Sequence, residues 1–251
     1  MSLPEIASRE DWLAARKRLL AKEKELTHLR DQLSSERRRL PMVLIDTPYK
    51  FEGPGGPLEL VDLFEGRRQL IIQHFMFDPE WEDGCPSCTA GSDEISDGLL
   101  EHLHARDTTF AAVARAPLAK LERYKAKRGW TFPWYSSYGS SFNYDFHTTI
   151  DESVTPLEIN FRSREEWEQP EHAKGHWMLE QEQPFENPGM STFLRDGQRV
   201  FHTYFSTGRG GEWTGGGYAF LDLTALGRQE DWEEPKGRAD LAREAIPNFD
   251  N

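Results

Sequence analysis

The 251-residue chain has only two cysteines, no excess of basic charge and no long unbroken apolar run. Each shortage removes a class of protein. Cys85 and Cys88 stand three positions apart, so a multi-bridge extracellular framework is excluded. A disulfide closing so small a loop would restrict the unfolded chain by only about 2 kcal/mol, which makes it a poor staple. The formal charge of -13 and the pI near 5.1 repel phosphate and exclude an electrostatic nucleic-acid binder; Arg37-Arg38-Arg39 is too short a basic run to compensate. The longest apolar stretch, Leu70 to Phe77, is broken by Gln73 and His74 and falls short of the roughly 18 to 20 residues of a membrane helix, so no membrane partner is expected. The opening Met1-Ser2-Leu3-Pro4-Glu5 has neither a basic start nor a hydrophobic segment, and the expected compartment is the cytoplasm.

What is present reads as an α/β protein. From Glu10 to Leu40 there is no Gly or Pro, and Trp12, Leu19, Leu26, Leu33 and Leu40 recur every seven residues. That spacing predicts a long amphipathic helix. Ala15, Lys22 and Glu36 occupy the companion heptad positions, so packing along its own domain or on a partner subunit is expected rather than a free coiled coil. Pro41 ends it. Short strands follow at Val43-Ile45 and Tyr49-Phe51, then a helical turn from Leu58 to Phe64. Leu70 to Phe77 reads as a central strand buried on both faces. A helix from Pro86 to Ala105, a strand from Thr109 to Ala114 and a helix from Pro117 to Arg128 continue the alternation. Alternating aromatics at Trp130, Phe132 and Trp134, and again at Phe142, Tyr144 and Phe146, predict two further strands.

The Glu-, Pro- and Gln-rich stretch 148–188 reads as a surface insertion. After it, Arg195-Asp196-Gly197-Gln198 is a hairpin turn between strands ending at Leu194 and starting at Arg199. Glycines at 208–211 and 215–217 match no phosphate-loop spacing and read as a flexible loop. A last helix is expected from Tyr218 to Leu226, followed by an acidic tail. The chain thus divides into a helical arm (1–40), a main domain (41–230) and the tail (231–251).

The chemistry centres on the cysteine pair. Cys85 follows a buried strand by a short acidic loop and precedes a helix, with Pro86 at the first helical position, where a missing N–H costs nothing. As N-cap, Cys85 would face the unpaired N–H groups and the positive end of the helix dipole, which favour thiolate. Cys88, one turn inward, would resolve a mixed disulfide. Against this, Glu80, Glu82, Asp83, Asp93 and Glu94 crowd the pair, and negative charge raises a thiol pKa. Two other readings stay open. One is an inert buried pair. The other is a zinc or copper site, formed by Cys85 and Cys88 with His172 and His176, or with His202.

The segments Trp12-Leu13-Ala14-Ala15-Arg16, Arg37-Arg38-Arg39-Leu40-Pro41, His74-Phe75-Met76-Phe77, Gly84-Cys85-Pro86-Ser87-Cys88, Val200-Phe201-His202-Thr203-Tyr204 and Leu221-Asp222-Leu223-Thr224 together resemble a bacterial thioredoxin-like family, domain of unknown function eight-nine-nine, over about Glu10 to Glu230. The resemblance implies a thioredoxin-like fold, a central mixed sheet flanked by helices, related to peroxiredoxins and thiol-disulfide oxidoreductases. Here it would carry a long N-terminal helix and an insertion before the C-terminal hairpin. It implies a dithiol-disulfide oxidoreductase acting on a protein or small-molecule disulfide without an organic cofactor. In such folds a cis-proline ahead of the hairpin faces the cysteines, and Pro188 is the candidate, with Pro86 and Trp81 as further substrate contacts. Peroxidases of this fold usually carry Thr three places before the reactive Cys; Glu82 stands there instead. The N-terminal helix is the expected seam of a homodimer.

Overall fold

In the computed structural model, residues 4–214, 216–224, 234 and 236 are described. They divide into two compact units, one holding residues 4–42 with those from 217 onward, the other 43–216. In the first unit, α1 (Arg9–Arg37) is started by Ser8, whose side chain accepts the Asp11 amide, as an N-cap serine does. None of its residues is buried: Trp12, Leu19, Leu26 and Leu33 are all about half exposed.

The second unit opens with β1 (Val43–Ile45), β2 (Lys50–Gly53) and β3 (Gly56–Glu59). The Gly-Pro-Gly-Gly connection lets β3 fold back on β2 as a hairpin, so the expected helical turn shrinks to a 3-10 turn at Asp62–Phe64. Next come β4 (Gln69–His74), α2 (Pro86–Asp93), α3 (Asp97–His104), β5 (Thr108–Ala114), α4 (Leu118–Arg128) and β6 (Trp134–Ser136). The single helix expected to Ala105 is two, because Ser96 captures the Leu99 amide and starts a new helix. Trp130 and Phe132 precede β6 rather than belonging to it.

The second aromatic run forms α5 (Phe142–Asp145), not a strand. Residues 142, 144 and 146 fit period two, but 142 and 146 also lie one helical turn apart, and their rings meet at 4.6 Å. The stretch 148–188 contains β7 (Thr149–Ile150), β8 (Glu158–Ile159), β9 (Arg162–Ser163), α6 (Arg164–Trp167), a 3-10 stretch (Pro170–Met178) and β10 (Phe185–Glu186). It has a small core of its own, in which Trp167, Met178 and Phe185 pack against Ile150, Leu157 and Ile159. The hairpin is β11 (Gly189–Asp196) and β12 (Arg199–Ser206), with Gly197 in the left-handed region at its turn. Gly208–Thr214 is a 3-10 stretch, and in the first unit α7 (Gly217–Leu221) is shorter than expected. Of the acidic tail only 234 and 236 are described.

The eight-stranded sheet runs β1-β12-β11-β4-β5-β6-β2-β3. Parallel β4 and β5, joined through α2 and α3, with the antiparallel pair β11 and β12 on the other side of β4, form the thioredoxin-like core. Pleating sends alternate residues to opposite faces. Leu70, Ile72, Ala111 and Val113 enter one cluster, while Phe75, Phe110, Ala112 and Ala114 enter another together with Cys88. Between Thr192 and Phe193 the register shifts, leaving Thr203 as the extra residue of a bulge, its hydroxyl donating to the Thr192 carbonyl at 2.9 Å.

His74 ends β4 inside the first cluster, 1% exposed, with Nε2 2.7 Å from the Ser191 hydroxyl and its ring stacked on Phe142 and Phe146. Burial, with the neighbouring His202, pushes its pKa down to about 3. The unfolded chain therefore binds a proton below about pH 6.5 that the native state refuses, and stability falls as pH drops from 6.5 toward 3. Unfolding free energies from urea titrations at pH 7 and pH 5 should separate in the wild type, by up to about 1.4 kcal/mol per pH unit from this residue. The gap should narrow in His74→Leu; an unchanged gap assigns the acid sensitivity elsewhere.

Candidate functional site

The chain leaves β4 through Phe75 to Phe77 and turns at Asp78, whose side chain accepts the Glu80 amide at 2.8 Å. It returns so that the Cys85 amide donates to the Met76 carbonyl at 3.0 Å. The return needs Gly84, because a Cβ there would lie 2.5 Å from the Phe75 ring. Lys120 of α4 holds the loop from outside, its Nζ donating to the carbonyls of Pro79 (2.6 Å) and Trp81 (2.9 Å).

Cys85 is the N-cap of α2 and Pro86 its first residue, as the sequence indicates. The Cys85 carbonyl accepts both the amide and the hydroxyl of Thr89 at 2.9 Å, and the Thr89 hydroxyl lies 2.9 Å from that of Tyr124. Gln73 joins α2 to β4, donating to the Cys88 carbonyl at 3.4 Å and accepting from the Ser92 hydroxyl at 3.0 Å. Both cysteines are free thiols; Cys85 is partly exposed and Cys88 is buried.

The Cys88 thiol donates toward the Cys85 sulfur, and this is the largest influence lowering the Cys85 pKa to about 6. Burial opposes it. The amides of Cys88 and Ser87 and the Ser87 hydroxyl assist, and Ser87 is a contributor that the sequence reading passed over. Cys88 moves well upward, because its proton is held by Cys85, because it is buried, and because the neighbouring sulfur carries the charge. The two sulfurs are thus pushed in opposite directions, Cys85 toward the thiolate and Cys88 toward the thiol.

Four of the five carboxylates that crowd the pair in sequence have partners of their own. Glu82, Asp83 and Asp93 face Arg123 (3.4 Å), Lys127 (2.9 Å) and Arg128 (2.5 Å), all from α4, and the Trp130 indole also donates to Asp93. Glu94 accepts the Gly216 amide. Helix spacing on α4 supplies these cations, a match invisible in the acidic loop alone.

Trp81 lies in the loop ahead of Cys85, 39% exposed. Pro188 stands directly before Gly189, which pairs with His74 at the end of β4, and its carbonyl accepts the Thr207 hydroxyl. Among the described residues the cis peptide is Gln183–Pro184, and Asn187–Pro188 is trans, so the cis expectation for Pro188 is corrected.

The metal readings are also corrected. His202 packs on Phe146 and Phe193 in the cluster on the opposite face of the sheet from Cys88. His172 packs on Trp167 in the separate 148–188 core. Among the described residues no three His, Cys, Asp or Glu side chains converge as a metal site.

The family described as "Bacterial protein of unknown function (DUF899)" matches residues 1–244. The chain belongs to this family. No curated protein matches it. Among solved structures, this DUF899 chain is similar to Xanthomonas campestris Peroxiredoxin Q in a cysteine-to-serine form, at 14% identity over 67% of this chain and 87% of that one, with a TM-score of 0.40. It is similar to Peroxidoxin BcpB of Mycobacterium tuberculosis at 12% identity, 70% and 92% coverage and a TM-score of 0.39. Xylella fastidiosa PrxQ gives 14%, 69%, 90% and 0.39. No helix among the described residues is long and apolar enough to cross a membrane.

The split between the thiols is measurable. Site-resolved alkylation by iodoacetamide should give Cys85 a rate midpoint near pH 6 while Cys88 stays unmodified through neutral pH. Equal modification of both, or a Cys85 midpoint near 9, would contradict the arrangement.

Proposed function

We propose that the protein is a cytoplasmic thiol-disulfide oxidoreductase in which Cys85 attacks and Cys88 resolves. The observation that carries the reading is the placement of Cys85, partly exposed, as N-cap of α2 with Cys88 buried one turn inward. In the first step the Cys85 thiolate attacks one sulfur of a protein or small-molecule disulfide. A mixed disulfide forms and the other substrate sulfur leaves as thiolate, which takes up a proton. In the second, Cys88 gives up its proton and attacks the Cys85 sulfur. The Cys85–Cys88 disulfide forms, the remaining substrate thiolate leaves, and two electrons have passed to the substrate. The high pKa of Cys88 suits the order, since it keeps the resolving sulfur protonated until the mixed disulfide has removed charge from Cys85. In this proposal, substrate contacts are assigned to Trp81, Pro86 and Pro188.

Insulin reduction coupled to a dithiol donor should be lost in Cys85→Ser, and Cys88→Ser should accumulate a mixed disulfide visible by intact mass. Undiminished turnover in Cys85→Ser would refute the mechanism.

The reading includes a homodimer through α1, whose leucine stripe is open along its length. Leu19→Glu with Leu26→Glu should halve the mass in solution and leave thiol reactivity intact. A mass that does not change argues against that seam.

A further inference from the structure

One buried ionic group is unused by the cysteine chemistry. Arg115 directly follows β5, at the sheet end from which the cysteine loop departs. Its Nη2 donates to Asp78 at 2.6 Å and its Nε to Glu186 at 2.8 Å, while the Tyr144 ring lies 5.9 Å from the guanidinium carbon. The side chains of Arg115, Asp78 and Glu186 are 12%, 16% and 1% exposed. The second Glu186 oxygen accepts the Thr149 hydroxyl at 2.9 Å. Burial pushes the Glu186 carboxyl upward, against the pull of Arg115 and Thr149.

Such a group is costly to bury, and leaving one of its charges unpaired is costlier still. The three residues come from three parts of the chain: Asp78 opens the loop that delivers Cys85, Arg115 directly follows β5, and Glu186 sits in β10 two residues before Pro188. The planar fork of Arg can serve two carboxylates at once, which the point charge of Lys cannot do equally.

We propose that Arg115 is a positioning residue for Cys85, its guanidinium tying the cysteine loop to the 148–188 segment and offsetting one of the two carboxylate charges of Asp78 and Glu186. The insertion then has a role: through Glu186 and Arg115 it anchors the loop that Lys120 also holds. Removing the guanidinium frees Asp78 to shift, loosens the path from Met76 to Cys85, and leaves two carboxylates uncompensated at the same end of the sheet. Both changes disfavour thiolate at Cys85.

The inference rests on Cys85 being a low-pKa thiol, and the test separates the two ideas. The pH dependence of Cys85 alkylation by iodoacetamide is followed in the full chain for wild type, Arg115→Met, Arg115→Lys and Asp78→Asn, with circular dichroism and thermal midpoints as the check on folding. Arg115→Met should raise the Cys85 midpoint by about one pH unit, slowing alkylation about fivefold at pH 6. Arg115→Lys should recover part of that shift, and Asp78→Asn, whose amide oxygen can still accept from Arg115 while one negative charge is lost, should not raise the midpoint. If Arg115→Met does not fold, Arg115→Lys carries the test. A wild-type midpoint near 9 removes the thiolate reading itself. A wild-type midpoint near 6 that persists in the folded Arg115 variants, even with lowered thermal midpoints, shows Arg115 to be structural only and overturns this inference.

Discussion

The hydrogen bond from the Cys85 amide to the Met76 carbonyl is the constraint on which the rest of the site depends. It closes the loop that leaves β4 and sets the first turn of α2 against the sheet, and it requires Gly84 because the Phe75 ring occupies the space of a Cβ. Once that turn is placed, the sulfur of Cys85 meets the amides of Ser87 and Cys88, and Cys88 is carried one turn inward into the aromatic cluster of Phe75, Phe77 and Trp134. The differing environments of the two sulfurs follow from backbone position before any distant charge is considered.

Three supports converge on that loop from outside. Lys120 binds two of its carbonyls, a row of cations on α4 faces its carboxylates, and Arg115 takes Asp78. The exposed pairs contribute little each, because water and salt screen them. Their collective effect at the site is different in kind. They keep the negative charges of an acidic segment turned toward neighbouring cations.

Much of the fold was legible because its signals are local. The buried run ending at His74, the Pro86 start of α2, the strand at Thr108–Ala114 and the Asp-Gly hairpin each depend on residues a few positions apart, and each forms close to where the pattern places it. The misreadings have equally definite causes. Phe142 and Phe146 satisfy two periodicities, and packing beside Tyr49 and Phe51 selects the helix. Ser96 interrupts an apolar helix by capping, a signal present in the residues but outweighed in the periodic reading. The 148–188 stretch, polar in composition, hides a core of seven side chains because their spacing matches no single period.

The sequence by itself determined the pair, its spacing and its helix-start position, since an N-cap followed by Pro is settled within a few residues. Tertiary structure decided what the surrounding charges do. Glu82 and Asp83 find Arg123 and Lys127 only because α4 packs beside the loop, and Arg115 meets Asp78 and Glu186 only because three distant segments end at one edge of the sheet. Likewise, His202 joins the pair in a list of ligand types but lies across the sheet, since strand pleating sends it to the other face. Coulomb interactions depend on distance in space, and sequence separation says little about that once a sheet has brought its strands together.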